Sequence, residues 1–397
     1  MAEPYQFIHF HEEKMKITYF TNVFPAEHKV YAQDEIHWLQ KDGHNIELVA
    51  VWGGKKESLK DINFPVINLV NNKTFRKNLY REIFCHPFKA IPHLFLLFQF
   101  LGFRDSLRYF SQYKVMNLEN TDHIHAHFAS NAALRGLLAS KYYKIPFTCT
   151  GHGSELLLKK APYLKYLIHK SNPFITISEY NKKKLISSYT ISKEKIKVNY
   201  CGVDTDYFKN ESKIHNELPI KIVSVTAMRK VKGVNFLIQA CDLLNRNGID
   251  FQCKIIGAGE LLRDMAELIQ KLHLETKIKL YGAQSSEQIK EHLSNSSIFV
   301  LPSLSEGIPI AVMEAMSMEL AVIASDITGL PELISHEIDG YLVQPKKPKL
   351  IAQKIIDLIN DPLEMKNVQI AARHKVQKKF NIKKQVKDIE KLFTQTL

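Results

Sequence analysis

No run of 18 apolar residues occurs in the 397-residue chain, so no membrane-spanning helix is expected. Cysteine is scarce. The five, at positions 85, 149, 201, 241 and 253, are odd in number, and no pair has zinc-finger spacing. They read as reduced core residues, which suits a cytoplasmic protein. No secretory leader is evident: Met1 to Lys14 is polar and reads as a ragged extension, and the first strand begins at Met15-Lys16-Ile17. The net charge of +13 comes without a familiar nucleic-acid motif, so no nucleic-acid partner is expected. General surface lysine, an anionic membrane surface and an anionic substrate remain as readings of that charge.

What is present is a rhythm. The chain is 45% apolar and 24% charged, as in soluble globular proteins, and is long enough for two domains. Short apolar strands alternate with helical stretches, the pattern of parallel α/β architecture. Strands are expected at 17–20, 46–51, 66–70, 123–128, 147–150, 174–177 and 196–203. Six more are expected at 220–226, 251–256, 278–281, 298–301, 321–324 and 341–343. Helices are expected at 234–247, 260–273, 309–318 and 348–359. The polar stretch 206–219 reads as a linker between a first domain, 15–205, and a second, 220–376. The charged helical run at the end (377–397) is expected to fold back on the first domain. Two doubly wound domains facing each other form a cleft at the strand C-termini, the usual ligand position in open α/β sheets.

The segment from His86 to Phe110 is very apolar, too short to span a bilayer, and flanked by Arg81, Lys89, Arg104 and Arg108. Two readings stand: a helix lying in a membrane interface, or a core helix with incidental basic neighbours.

The most specific stretch is Pro302-Ser303…Glu306-Gly307-Ile308-Pro309-Ile310…Glu314-Ala315-Met316, with two glutamates eight positions apart. A buried strand, a turn and a helix starting near a proline leave first-turn amides without intrahelical partners at the positive end of the dipole, an anion site. Carboxylates on either side can accept hydrogen bonds from hydroxyls. Anion plus hydroxyls suggests a sugar nucleotide. After the strand ending at Thr226, Arg229 and Lys232 stand where a fixed cation can stabilise charge growing on a diphosphate leaving group.

This run resembles the E-x7-E signature of retaining GT-B glycosyltransferases, the glycogen-synthase-like and sucrose-synthase-like superfamily, of exopolysaccharide type. The downstream Ala321-Val-Ile-Ala-Ser325…Gly329-Leu-Pro331-Glu332…Gly340-Tyr-Leu-Val343 matches its pattern in order. The resemblance implies a GT-B fold of two Rossmann-like domains. It puts Glu314 at the nucleotide ribose, and Glu306 at the donor sugar with Gly307, Ile308, Pro309 and Ile310 and the amides that follow it. It puts Arg229 and Lys232 at the diphosphate, although the family's arginine usually stands two positions earlier, where this chain has Ala227. Gly257-Ala258-Gly259 resembles the family's strand-to-helix turn near the nucleotide. Taken alone it is a partial dinucleotide fingerprint whose third glycine is replaced by Leu262. His152, in Thr150-Gly-His-Gly-Ser-Glu155, matches a histidine that contacts the donor sugar, with Glu155 where Asp is frequent.

His123-Ile-His125-Ala-His127 alternates, so all three rings face one side of a strand about 7 Å apart, awkward for three ligands of one zinc. The run resembles the family's His-Ala-His-Phe element. Asp204-Thr-Asp206 resembles a structural turn of the family, not a metal site. Around Phe24-Pro25…Glu35…Gly43-His44-Asn45, this chain has His28-Lys29-Val30-Tyr31 where relatives carry Ser-Glu-Thr-Phe, so the acceptor side is its most individual part. The resemblance implies retention by front-face displacement, with no cofactor and no metal. It implies a UDP- or GDP-linked sugar as donor and a glycan or lipid-linked acceptor. The surface charge and the 86–110 segment suggest a cytoplasmic protein peripheral at the inner face of the cell membrane. A GT-B sugar-nucleotide epimerase or phosphorylase, and a non-catalytic sugar-nucleotide or membrane-binding module, are the alternatives.

Overall fold

The computed structural model describes residues 14–24, 31–53, 63–69, 75–116, 118–157, 161–211 and 217–396. The leader, the variable 25–30 stretch, Val70 and linker residues 212–216 lie outside them. The first seven strands are β1 (Lys16–Phe24), β2 (Asn45–Gly53), β3 (Val66–Asn68), β4 (His123–His127), β5 (Phe147–Gly151), β6 (Phe174–Thr176) and β7 (Ile196–Val198). The next six are β8 (Ile220–Val225), β9 (Phe251–Ile256), β10 (Ile278–Leu280), β11 (Ile298–Leu301), β12 (Ala321–Ser325) and β13 (Tyr341–Val343). Each expected strand is present, with shifted ends. The largest shift is at β7, which stops at Val198 although the apolar run goes on to Val203. There the backbone turns to other partners: Val203 N–H donates to Phe380 O at 2.9 Å, and Ile382 N–H donates to Val203 O at 3.0 Å.

The strands form two sheets, ordered β3-β2-β1-β4-β5-β6-β7 and β10-β9-β8-β11-β12-β13. The registered pairs in both are parallel. In each sheet the first strand lies inside, and the chain winds outward on one side before crossing to the other. That doubly wound order creates a switch point between β1 and β4 and another between β8 and β11, where loops at the strand C-termini part and leave a crevice.

Helices cover both faces of such sheets, so the strands need no polar side. All four residues of β11 and all five of β12 are buried. Alternate residues supply opposite layers. Ile222, Ile255, Val300 and Ile323 pack with Leu237, Ile238 and Ile355. Val223, Phe299 and Val322 pack with Val312, Met316 and Phe380.

Contacts divide the chain into two compact units. One comprises the chain through Gly151, Lys160–Phe174 and Glu390–Leu397; the other comprises His152–Lys159 and Ile175–Ile389. In the first unit, the helix Pro87–Leu101 buries Ala90, His93, Leu94 and Leu97, while Phe88, Ile91 and Phe95 on its other side are exposed. It is therefore a core helix on one side only. His123 is fully buried there, its ring 4.4 Å from that of Phe393, and Nε2 lies 2.8 Å from Thr148 Oγ1.

In the second unit, Gly233 joins β8's loop to the helix Val234–Arg246. Its φ is +62°, and a Cβ there would lie 2.2 Å from Pro302 O at the end of β11. Only glycine permits both the backbone conformation and the approach of the two loops. Gly233→Ala is expected to destabilise the protein by about 1–3 kcal/mol from backbone strain alone, read as a lower urea midpoint.

Burial lowers the pKa of His123 to about 3, against about 6.5 in an unfolded chain. Below pH 6.5 the unfolded state therefore binds a proton that the folded state refuses. Stability is expected to fall as pH drops from about 6.5 toward 3. His123→Gln should flatten that part of a pH–stability profile measured by urea titration.

Candidate active site

At the C-terminal edge of the second sheet, three loops are tied together by their own backbones. Met228 N–H, after β8, donates to Ala258 O after β9 at 2.9 Å, and Leu261 N–H returns a bond to Met228 O at 3.0 Å. Leu304 N–H, after β11, donates to Val231 O at 2.7 Å. Gly257, with φ +137°, lies so close to Thr226 that a Cβ would sit 1.9 Å from the Thr226 carbonyl oxygen. Gly257 and Gly259 thus serve loop-to-loop contact, since a side chain at either would push the β9 turn off the β8 loop.

Across the β8–β11 switch point, Lys232 Nζ grips Glu306 with both carboxylate oxygens, at 2.7 Å and 2.8 Å. Ser303 Oγ donates to the same Oε1 at 2.6 Å. The Glu306 side chain is only 7% exposed and that of Lys232 25%, so this is a charge-assisted, largely desolvated pair that retains an opening toward solvent. The Glu306 backbone is also fixed: Thr328 Oγ1, after β12, accepts from Glu306 N–H at 3.2 Å and donates to Glu306 O at 2.6 Å.

The chain then enters the helix Ile310–Ser317, one residue later than expected. Pro309 is its extended N-cap, with φ −77° and ψ 119°. Ile308 and Pro309 are buried, Gly307 and Ile310 half-buried. The first amides of this helix lack intrahelical acceptors and carry the positive end of the dipole. Glu314 is half-buried one turn further along.

His152 stands beside this loop. A Cβ on Gly307 would lie 3.3 Å from His152 O and 3.1 Å from Ile177 Cδ1. The histidine's own backbone is held from three directions. Its N–H donates to Glu155 Oε1 at 2.6 Å, Gly153 N–H donates to Glu155 Oε2 at 3.1 Å, and Asn181 Nδ2 donates to His152 O at 2.7 Å. Glu155 therefore acts as the loop's cap. Its carboxylate satisfies two amides that a turn of this shape leaves bare.

Lys232, Glu306, the Gly257–Gly259 turn, Gly307 and the His152 loop are thus brought to one edge of the second unit. Arg229 is on the same loop as Lys232 and is exposed. Sequence reasoning named Ser303 in the motif without a role and passed over Thr328 and Asn181, all of which fix the residues it singled out. It also left Glu332 without a role. That carboxylate accepts from Glu179 N–H at 2.8 Å, Tyr180 N–H at 2.7 Å and Tyr200 Oη at 3.0 Å, capping the helix Glu179–Tyr189. Asp204 and Asp206 are occupied structurally. Asp204 Oδ1 accepts from the amides of Asp206 and Tyr207, and Asp206 pairs with Lys383.

The histidine row behaves differently from its strand spacing. His123 stacks on Phe393, while His125 and His127 lean together with ring centroids 5.0 Å apart. Glu35, from the helix Tyr31–Lys41, joins them. Ligand-type atoms of Glu35, His125 and His127 lie within 4.8 Å of one another, the set among the described residues with the spacing to hold a metal ion. Tyr19 Oη donates to Glu35 Oε1 at 2.6 Å, and His127 Nε2 is 3.1 Å from the same oxygen. Burial first, then the adjacent Glu35 carboxylate, push the Tyr19 hydroxyl well above its usual pKa, which keeps its proton in place as a donor.

Comparison with known proteins matches each half of the chain to a glycosyltransferase family. Residues 206–375 match the family "Glycosyl transferases group 1" and residues 29–207 match "Glycosyltransferase Family 4". The chain is similar to the amylovoran biosynthesis glycosyltransferase AmsK of Erwinia amylovora, 36% identical over 47% of this chain and 48% of that protein. It is also similar to the colanic acid biosynthesis glycosyltransferase WcaL of Salmonella typhimurium, 30% identical over 62% of each. The match thus spans about half of the first relative's length and under two thirds of the second's. Among solved structures, Anabaena HepE in complex with UDP superposes with a TM-score of 0.75 at 17% identity, over 96% of this chain and all of that one. Residues 206–375 thus match a group 1 glycosyltransferase domain and residues 29–207 a family 4 glycosyltransferase domain, and the two doubly wound sheets that they form have the GT-B fold of the solved neighbours.

Proposed function

We propose that the chain transfers a sugar, with retention of anomeric configuration, from a nucleoside-diphosphate sugar to a glycan or lipid-linked acceptor in cell-surface polysaccharide synthesis. The observation that carries this reading is the Lys232–Glu306 pair beside the N-terminus of the helix Ile310–Ser317. An ammonium has three N–H donors. Glu306 takes two, so the third is available to a diphosphate oxygen, with the first-turn amides as further donors and Arg229 as an exposed second cation. These fixed groups would stabilise the charge that grows on the leaving diphosphate without any need to reorganise, and in this reading no metal is required. The helix carries Glu314 to the ribose hydroxyls, where a carboxylate accepts two hydrogen bonds. Glu306 accepts from the donor sugar, and His152 lies at that sugar's other edge. The acceptor hydroxyl loses its proton to the departing phosphate. The polysaccharide-synthesis names of the similar proteins, and the UDP bound by HepE, support the donor class and the polysaccharide setting.

Lys232→Ala is expected to lower kcat/KM by on the order of 10²–10³, the loss typical of a removed electrostatic stabiliser. Glu314→Ala should weaken nucleotide binding by about tenfold or more. Both are read by incubating the protein with UDP-, GDP- and ADP-sugars and measuring released nucleotide by mass. Full transfer activity in both variants would overturn the site assignment. Ser303→Ala, which frees Glu306 on one side, should reduce kcat more than donor affinity.

A further inference from the structure

We propose that the outer face of the helices Phe75–Cys85, Pro87–Leu101 and Phe103–Phe110 docks the protein in the plane of an anionic lipid bilayer. Phe88 is 96% exposed, Phe84 80% and Phe95 65%, with Ile91 and Phe103 exposed beside them. Phe88, Ile91 and Phe95 follow one another at helical spacings of three and four, so they share one face. The opposite face, Ala90, His93, Leu94 and Leu97, is already buried in the first unit. A helix that is apolar all round belongs between two apolar environments, and the described residues supply only one.

The aromatic surface is continuous. The Phe95 ring lies 6.2 Å from that of Phe98, and Phe98 lies 5.3 Å from Phe103. Rings this exposed stand out from the face and are suited to insertion among acyl chains. The Pro87–Leu101 helix is 15 residues long, about 22 Å, which is short of a bilayer's hydrocarbon core and fits an in-plane orientation.

Charge selects the lipid. Residues 75–110 contain six Lys and Arg against two acidic residues. One of the two, Glu82, is buried and takes the Tyr142 hydroxyl. Arg81, Arg104 and Arg108 are exposed around the aromatics, placed to meet anionic headgroups while the rings enter the interface. The same basic rim opposes a second copy of a chain whose net charge is +13.

The test is flotation of the full chain with vesicles of phosphatidylcholine alone and of phosphatidylcholine mixed with phosphatidylglycerol. Wild type should float with the mixed vesicles, more weakly with phosphatidylcholine, and less as salt rises. Phe88→Ser/Phe95→Ser should lose binding tenfold or more, and Arg104→Gln/Arg108→Gln should lose the preference for the anionic lipid. Both should keep the wild-type circular dichroism spectrum and melting curve. Failure of wild type to float at low salt would overturn the proposal, as would unchanged flotation of the aromatic variant. So would a wild-type dimer in sedimentation velocity that Phe88→Ser converts to monomer. The readout involves no sugar transfer, so its failure leaves the donor-site reading standing.

Discussion

The bond between Lys232 and Glu306 organises the second domain's functional edge. Neither partner is tolerable there alone. A carboxylate this deeply covered needs a positive partner, and removing one member of such a pair costs far more than the pair contributes. Lys232 comes from the loop after β8 and Glu306 from the loop after β11, so the pair closes the crevice that the strand order opens. Ser303, on the strand-ending Pro-Ser turn, gives Glu306 Oε1 a second donor. The same side chains that hold the loops together thereby set a cation and a carboxylate side by side at a helix N-terminus.

The rest of the edge is built by backbone contact. Thr328 brackets both backbone groups of Glu306, Glu155 and Asn181 bracket His152, and Glu332 caps the next helix. Each is a short polar side chain satisfying amides or carbonyls that loops leave unpaired. The result is a rigid frame around the residues proposed to meet substrate, the arrangement a preorganised electrostatic site needs.

Much of this was legible in the residues. Strands buried on both faces are nearly continuous apolar runs, so β11 and β12 stand out, and the Glu306…Glu314 spacing around Gly307 and Pro309 marks the helix entrance. The supporting groups were not legible. Ser303 and Thr328 are ordinary loop residues until tertiary structure brings Thr328 to Glu306, 22 positions away. Glu35 gave no sign that it would join His125 and His127, because its approach depends on how one helix packs on one sheet. Strand spacing placed the histidines by their backbone positions, whereas the tilt of the rings decides which pair meets. Similarly, apolar sequence in 86–110 could not distinguish a helix covered on both sides from one covered on a single side.

The surroundings of Glu306 also bear on how a retaining enzyme would work here. One of its oxygens accepts from both Lys232 and Ser303, and the other accepts from Lys232 as well. A carboxylate whose lone pairs are committed to three donors, two of them from a cation, is a poor nucleophile, since attack on an anomeric carbon would require those bonds to be given up as charge is lost. It remains a good acceptor for a hydroxyl approaching from the open side, because that adds a bond without breaking one. In our reading this separates the tasks: Glu306 orients the sugar, Lys232 and the helix amides stabilise the leaving diphosphate, and the incoming hydroxyl is deprotonated by the phosphate whose departure it accompanies. Front-face displacement is the course this division of tasks favours in our reading. What gives the edge its stability, the three hydrogen bonds on the Glu306 carboxylate, also limits the chemistry that Glu306 can perform.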